Sequence, residues 1–408
     1  MRKILTLTLA LIGTASASTI TVWYAGTFQG HMDLVNKTIV PAFEKANPGV
    51  DVRVEFVPWG DLSTKLNASF AAGNAPDVFM HGAAATAGFA ANGRIVPLDS
   101  YLTQIDTKDF GKTLNQGQYL GKKYMVPVFG AGRLLVYRKD LFQQVGLDPN
   151  KPPTTWNTML AAARKLTTRD SSGRIQRAGL LLDSAGTNLQ QVYASLLWQA
   201  GGDFFDDANK VVKFDGIQGI QALKFMQQLF DPQTGVSPLG EPVSPVSPLV
   251  TGRAAMLFAV PDDLTTIKVN NPDVYAKLAV APALKDKEQA TLYSFSGFFL
   301  NADSKDKADA WNYIKFATSS KNLEDFNAAA GNIPPLQSLV SASFVKSNPI
   351  LQSYIQNMQY AVGNPNVPNW TKMRDILSVQ LERAIYGKAS AAEALRTAAQ
   401  SVKRELPK

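Results

Sequence analysis

Residues 19–80 read TITVWYAGTFQGHMDLVNKTIVPAFEKANPGVDVRVEFVPWGDLSTKLNASFAAGNAPDVFM, and the changing period of their apolar residues decides the fold. Residues 19–24 alternate and are rich in β-branched and aromatic side chains, the pattern of a strand. From His31 onward Leu34, Val35, Ile39 and Phe43 recur near the helical period, and Asn47-Pro48-Gly49 stops the run. Residues 50–57 alternate again, with Val52, Val54 and Phe56 set against Arg53 and Glu55. Asp61 caps a second helix whose apolar face carries Leu62, Leu66 and Phe70. Gly73-Asn74-Ala75-Pro76 turns the chain into a short buried strand at 77–80. Strand, helix, strand, helix, strand is the order of βαβ units and predicts an α/β protein with a mostly parallel sheet.

The same reading extends toward the C-terminus. Strands are expected at 123–128 and 133–137, around a glycine-bearing bend at 129–132. Asp140 starts a short helix ending at Gly146, and Pro152-Pro153-Thr154-Thr155-Trp156 opens another through Leu166, with Thr154 or Thr155 as its cap. Helices follow at 189–200 and 217–230, and a loop with four prolines at 237–248. Strands at 254–260 and 295–300, a helix at 305–318, a break at 332–335 and helices at 373–386 and 389–404 complete the chain.

Upstream of the first strand, Arg2 and Lys3 precede an apolar stretch at 4–12, Gly13 breaks it, and Ala15-Ser16-Ala17 is a small-x-small cleavage site. This reads as a secretory signal peptide over 1–17, with the mature chain starting at Ser18. There is no cysteine, so an exported chain is held by its core and not by disulfides, and a lipid anchor built on cysteine is excluded. A freely diffusing exported protein is useful where an outer barrier retains it, which points to a periplasm. The net charge is +8, or +6 without Arg2 and Lys3, and it is scattered with no basic run. That is a solvated surface, with no nucleic-acid partner expected. No further apolar stretch reaches the roughly 20 residues of a membrane helix, so no integral membrane protein is expected.

Chemistry is bounded by what is missing. His31 and His81 are the only histidines, and without cysteine the usual zinc sites cannot be assembled. Neither a G-x-S-x-G elbow nor a phosphate loop is present, and Gly130-Ala131-Gly132 lacks the third glycine of a dinucleotide fingerprint. No metal or cofactor is expected. A pair of catalytic carboxylates stays open, because such pairs meet in space and not along the chain; Asp77, Asp203 and Asp262 are the candidates for a secreted glycosidase or lyase.

Particular stretches carry a family resemblance. They are Ala42-Phe43-Glu44-Lys45-Ala46-Asn47-Pro48-Gly49-Val50, Gly73-Asn74-Ala75-Pro76-Asp77-Val78, and Val126-Pro127 through Val136-Tyr137-Arg138-Lys139-Asp140-Leu141-Phe142. Pro152-Pro153-Thr154-Thr155-Trp156, Gly201-Gly202, Gly252-Arg253-Ala254-Ala255-Met256, Gly331-Asn332-Ile333-Pro334, Gly387-Lys388 and Glu393-Ala394-Leu395 follow. In this order and spacing the chain resembles the extracellular solute-binding proteins of ABC importers, in the carbohydrate-binding group that includes maltose-binding proteins. The resemblance implies a two-lobed, type II periplasmic-binding-protein fold, each lobe a mixed, mostly parallel sheet flanked by helices, joined by a multi-segment hinge. By position, lobe 1 would be 18–129 with 297–331, and lobe 2 would be 130–296 with 332–408. It implies a monomer without catalytic residues that captures a mono- or oligosaccharide between the lobes and docks on ABC permease transmembrane subunits.

The resemblance also implies which residues line the cleft. Trp23 and Tyr24 end the first strand beside a cleft loop, and of two adjacent aromatics in a strand one is expected to leave the core. Trp59 in the Pro58-Trp59-Gly60 turn is an aromatic candidate, and His81 stands where the family often stacks an aromatic on sugar. Gly130 and Ala131 would let ligand approach the backbone. Asp262 in Val260-Pro261-Asp262-Asp263 replaces a tryptophan of maltose-type proteins and would accept hydroxyl bonds, or else cap the helix before Leu264. Ser296 lies beside the hinge, Trp370 just before a late helix and Arg374 on it. Arg374 matches an arginine of glycerol-3-phosphate-binding relatives, which makes a phosphorylated polyol the alternative ligand; an ion pair with Asp375 is its bland reading.

Overall fold

The computed structural model describes residues 18–206, 209–240 and 246–406. The leader expected at 1–17 and part of the proline-rich segment 237–248 lie outside the described residues. β1 (Ser18–Ala25) runs parallel to β2 (Val50–Val57) in unbroken register, and parallel to β3 (Val78–Gly82) through Val22 and Trp23. Between β1 and β2 a helical run is split into α1 (Gln29–Leu34), a π turn (Val35–Ile39) and α2 (Val40–Ala46). Pro41 explains the π turn: it has no N–H to give and crowds the carbonyl four residues back, and the Val40 N–H reaches the carbonyl of Val35. α3 (Trp59–Ala72) buries Leu62, Leu66 and Phe70 and ends on Gly73 at φ +70°. The βαβ order read from 19–80 is the order observed.

β4 (Val126–Gly132) and β5 (Leu134–Arg138) follow. The expected bend at 129–132 is strand. α4 (Trp156–Leu166) starts from a Thr155–Thr158 capping box, so Thr155 is the cap, and α5 (Gly186–Gln199) and α6 (Ile217–Leu229) lead to β6 (Met256–Ala259). α7 (Pro261–Asn270), β7 (Leu278–Val280) and β8 (Thr291–Leu300) come next, then α8 (Lys307–Ala317), α9 (Ser320–Ala330) and α10 (Pro349–Asn357). β9 (Ala361–Val362), α11 (Trp370–Ile385) and α12 (Ala391–Val402) close the chain.

The larger sheet has the order β9-β8-β3-β1-β2, with β4 also on β8. Parallel pairing holds for β1–β3 and for β8 with β9, whereas β8 is antiparallel to β3 and β4. The smaller sheet, β6-β5-β7, departs from the mostly parallel expectation. Both of its strand pairs are antiparallel, because the long helical excursion after β5 returns the chain in the opposite direction. Two bridges, Ala178 to Ala254 and Leu181 to Leu257, add parallel contacts to it.

Two apolar clusters form. The first packs the large sheet, α1–α3, α8 and α9, and the second packs α4, α5, α6, α11 and α12. β5 separates them: Leu134 and Val136 face the first, Leu135 and Tyr137 the second, as strand alternation requires. β8 crosses from Leu292 in the second cluster to Phe298, Phe299 and Leu300 in the first. No described helix is long and apolar enough to cross a membrane.

Candidate functional site

The ends of β3, β4 and β6 meet where these clusters adjoin. On the first side Trp59 opens α3 and is 46% exposed, the most open tryptophan that the structure places beside this junction. Its indole rests on Gly26, whose φ is +88°; a Cβ there would lie 2.9 Å from Nε1. Its edge meets the rings of His81 at 6.5 Å and Phe129 at 6.4 Å. His81, near the end of β3, is buried and has both nitrogens engaged: Nε2 lies 3.1 Å from Ser63 Oγ, and Nδ1 lies 3.3 Å from the Gly82 carbonyl. Burial lowers its pKa to about 4, and the nearby charge of Arg374 adds to that, so the ring is neutral.

The second side is built at the start of α7. Asp263 accepts the Val260 N–H at 3.3 Å and is therefore the residue that caps the helix. Asp262 is left with only the peptide N–H groups of its own turn, from Asp262 and Asp263. Its surface is part open, yet the surrounding protein takes much of the water from its carboxyl. That desolvation, with Asp263 beside it, pushes its carboxyl up to about 7 against the pull of Arg133. Arg133 is occupied: Nε donates to Gln191 Oε1 at 3.0 Å, Nη1 to the Phe258 carbonyl at 3.3 Å and Nη2 to Asn188 Oδ1 at 3.0 Å. Arg374, on α11, gives Nε and Nη2 to Asp375 Oδ1 at 3.0 and 2.9 Å, which is the ion pair of its bland reading.

Between the two sides run the crossing segments. Gly130 spends its N–H and carbonyl on Ile333 at 2.7 and 3.1 Å, and Ala131 pairs with Ser294 in the ladder. Both are paired within the protein. The glycines have another cause: a Cβ at Gly130 would stand 2.8 Å from the Phe295 ring, and one at Gly132 2.3 Å from Tyr293. Ser296 is buried, opposite Gly82 and Phe129, and shares its strand face with Ser294.

Three expected contacts lie in the cores instead. Tyr24 is 2% exposed, packs on Phe56, Phe298 and Phe326, and bonds Tyr313 Oη at 2.9 Å. Trp23, on the other face, is buried under Lys65, whose Nζ is 4.6 Å from the ring centre. Alternation does put the two on opposite faces, but helices cover both faces of this sheet, so neither leaves the core. Trp370 is 4% exposed and packs edge-on against Phe204 and Phe205 in the second cluster.

The three carboxylates named as an enzyme alternative serve separate local roles. Asp77 accepts from Thr21 and Ser304, Asp203 from Trp198 and the Phe204 N–H, and Asp262 stands alone at α7. Sequence reasoning missed Ser63, Asn188 and Gln191. Ser63 follows Trp59 by one helical turn, the spacing that could have found it. An open pocket of about 430 Å³ lies between α4 and α6, lined by Trp156, Phe225, Lys224 and Lys285, and another of about 250 Å³ borders Asp77 and Asp303. Neither shares a lining residue with the junction.

The family profile of bacterial extracellular solute-binding proteins matches residues 27–324. A Brucella abortus (strain 2308) protein named only as a binding protein is 26% identical, over 88% of this chain and 86% of its own length. The sn-glycerol-3-phosphate-binding periplasmic protein of Escherichia coli (strain K12) is 23% identical over 97% of this chain and 94% of its own. A solved ABC transporter solute-binding protein from Thermotoga lettingae TMO, bound with α-D-tagatose, is 25% identical with a TM-score of 0.86, covering 96% of this chain and all of that one. The chain shares the two-lobed α/β fold of these proteins and belongs to the bacterial extracellular solute-binding proteins.

Proposed function

We propose that the protein binds a neutral mono- or oligosaccharide in this junction and delivers it to the transmembrane permease subunits of an ABC importer. It works in the periplasm as a monomer, freed of residues 1–17 and carrying no lipid anchor, and it makes or breaks no bond. The lobes are 18–129 with 297–331 and 130–296 with 332–408, and ligand draws them together. Trp59, Asp262 and Ser296 carry recognition, with Arg374 at the rim. An exposed indole suits the apolar face of a pyranose, and a carboxylate accepts paired hydroxyls.

One observation carries the choice of a neutral ligand: Asp262 accepts only from the peptide N–H groups of its own turn, while Arg133 and Arg374 are already engaged. A phosphate would meet an acidic side chain and occupied guanidiniums. The glycerol phosphate reading keeps its support from relatives such as the Escherichia coli protein.

A thermal-shift panel on the chain from Ser18 tests this with D-tagatose, maltotriose, other neutral saccharides, polyols and sn-glycerol 3-phosphate. A ligand present at a hundred times its dissociation constant adds about 2.7 kcal/mol to the native state. A shift with a neutral saccharide supports the reading. A shift with the phosphate ester alone replaces it by the phosphorylated-polyol one, and turnover of chromogenic glycosides would replace both.

A further inference from the structure

Ser63 stands one turn after Trp59 on α3 and reaches across to β3, where its Oγ lies 3.1 Å from His81 Nε2. The other ring nitrogen, Nδ1, lies 3.3 Å from the Gly82 carbonyl, which can only accept. Nδ1 therefore carries the proton, Nε2 is the acceptor, and the Ser63 hydroxyl donates to it. Both positions of the imidazole are used inside the protein, and none is left for a ligand hydroxyl. The ring is further gripped edge-on by Phe89 at 5.5 Å and meets Trp59 at 6.5 Å with an interplanar angle of 84°. Of the groups that face it, from α3, the segment 86–91, Gly82 and α11, only Arg374 is charged, and it opposes protonation.

We propose that Ser63 is a positioning residue of the cleft: it holds His81 as a single neutral tautomer, and the fixed imidazole sets the pose in which Trp59 meets a bound saccharide. His81 then acts as a wall and not as a hydrogen-bonding partner of the ligand. Trp59 has Gly26 behind it and Phe129 and His81 at its edges, so a His81 ring free to turn would leave one side of the indole unsupported. The last step of this proposal, contact with saccharide, rests on the function proposed above; the linkage from Ser63 to His81 to Trp59 does not.

Two readouts on the ligand-free full chain test the linkage. The protein has two histidines, so imidazole nitrogen–proton correlation spectra are assigned with His81→Phe. The expected wild-type spectrum shows the Nδ1–H form of His81 without titration between about pH 5 and pH 8. Ser63→Ala should mix the tautomers and raise the His81 pKa by about one pH unit or more, since a bond to the neutral form is lost. Ser63→Thr should keep the wild-type pattern. Iodide quenching of Trp59, taken as the difference from Trp59→Phe, should rise in Ser63→Ala and not in Ser63→Thr.

With D-tagatose or maltotriose, whichever the wild-type chain binds, Ser63→Ala should raise the dissociation constant about three- to tenfold. That effect should vanish in a His81→Phe background. A merely structural serine would lower the melting midpoint and leave the tautomer and the quenching unchanged, and that result overturns the proposal. Full additivity of the two substitutions in binding overturns it as well. If no saccharide binds, the saccharide reading fails, and the two ligand-free readouts still decide the linkage.

Discussion

At Asp262 the fold favours the neutral acid. The carboxyl sits at about 7 in the folded chain against an ordinary 3.8, raised by burial and by Asp263. A group raised in the folded state contributes stability that is complete below its unfolded pKa and lost as the pH climbs through the folded one. The window here runs from about 4 to about 7. Asp262→Asn removes the titration, so its midpoint should match wild type near pH 4 and exceed it at pH 8. A rise of that size in a fully enclosed carboxyl would be worth about 4 kcal/mol, but the side chain is part open and water screens it, so about 1–2 kcal/mol is expected in urea unfolding. The histidines act in the opposite sense. His31, stacked on Phe326 at 3.7 Å, and His81 are both lowered to about 4 by burial. Their contribution is whole above about 6.5 and falls away toward 4, so His81→Phe should flatten the acid limb that Asp262→Asn leaves exposed. On the proposed function Trp59 acts in binding: Trp59→Ala should weaken saccharide affinity about tenfold, the worth of one lost ring contact, with little change in the ligand-free midpoint.

Among the elements, glycine shows what the sequence could and could not say. The run 129–132 reads as a bend because three of its four residues are small, yet it is a strand whose glycines lie under the Phe295 and Tyr293 rings. Nothing local to 129–132 names residues more than a hundred and fifty positions away, so the cause was invisible from the sequence. The same limit hid the burial of Tyr24 and Trp370, whose partners Tyr313 and Phe204 come from distant helices and loops. The βαβ order at 19–80 was legible because each element states its own period, whereas Trp59, read as part of a turn between Pro58 and Gly60, is the first residue of α3. β8 gives the sharpest test at this scale. At Gly297 the register with β4 shifts, and a Cβ would stand 2.2 Å from the Val126 carbonyl, which is backbone and cannot turn aside. Gly297→Ala should cost about 2–3 kcal/mol by overpacking. Gly60→Ala, in the first turn of α3 with open space around it, should instead gain about 0.5–1 kcal/mol. Equal effects of the two substitutions would remove packing as the reason for Gly297.

For the whole molecule the question is what holds the two clusters in register when only a few segments cross between them. Besides the crossing strands, Asn366 ties the approach to α11 to the first side. Its Oδ1 accepts the Ala87 N–H at 3.1 Å and its Nδ2 donates to the Gln118 carbonyl. Val367, the next residue, is buried in the second cluster, so these two adjacent residues together bridge both. Such a bridge can favour the liganded arrangement only if it is made better there than in an opened one, because a contact equal in both states shifts nothing. Each net hydrogen bond is worth about 0.5–1.5 kcal/mol, so two that break on opening would bias the equilibrium about 5- to 150-fold. Asn366→Ala should then enlarge the ligand-free radius of gyration in small-angle scattering. It should also weaken saccharide binding mainly through faster dissociation, and saturating saccharide should restore the wild-type radius. If scattering and affinity both stay at wild-type values, the bridge is made equally in both arrangements, and the bias toward closure lies in the crossing strands and the ligand itself.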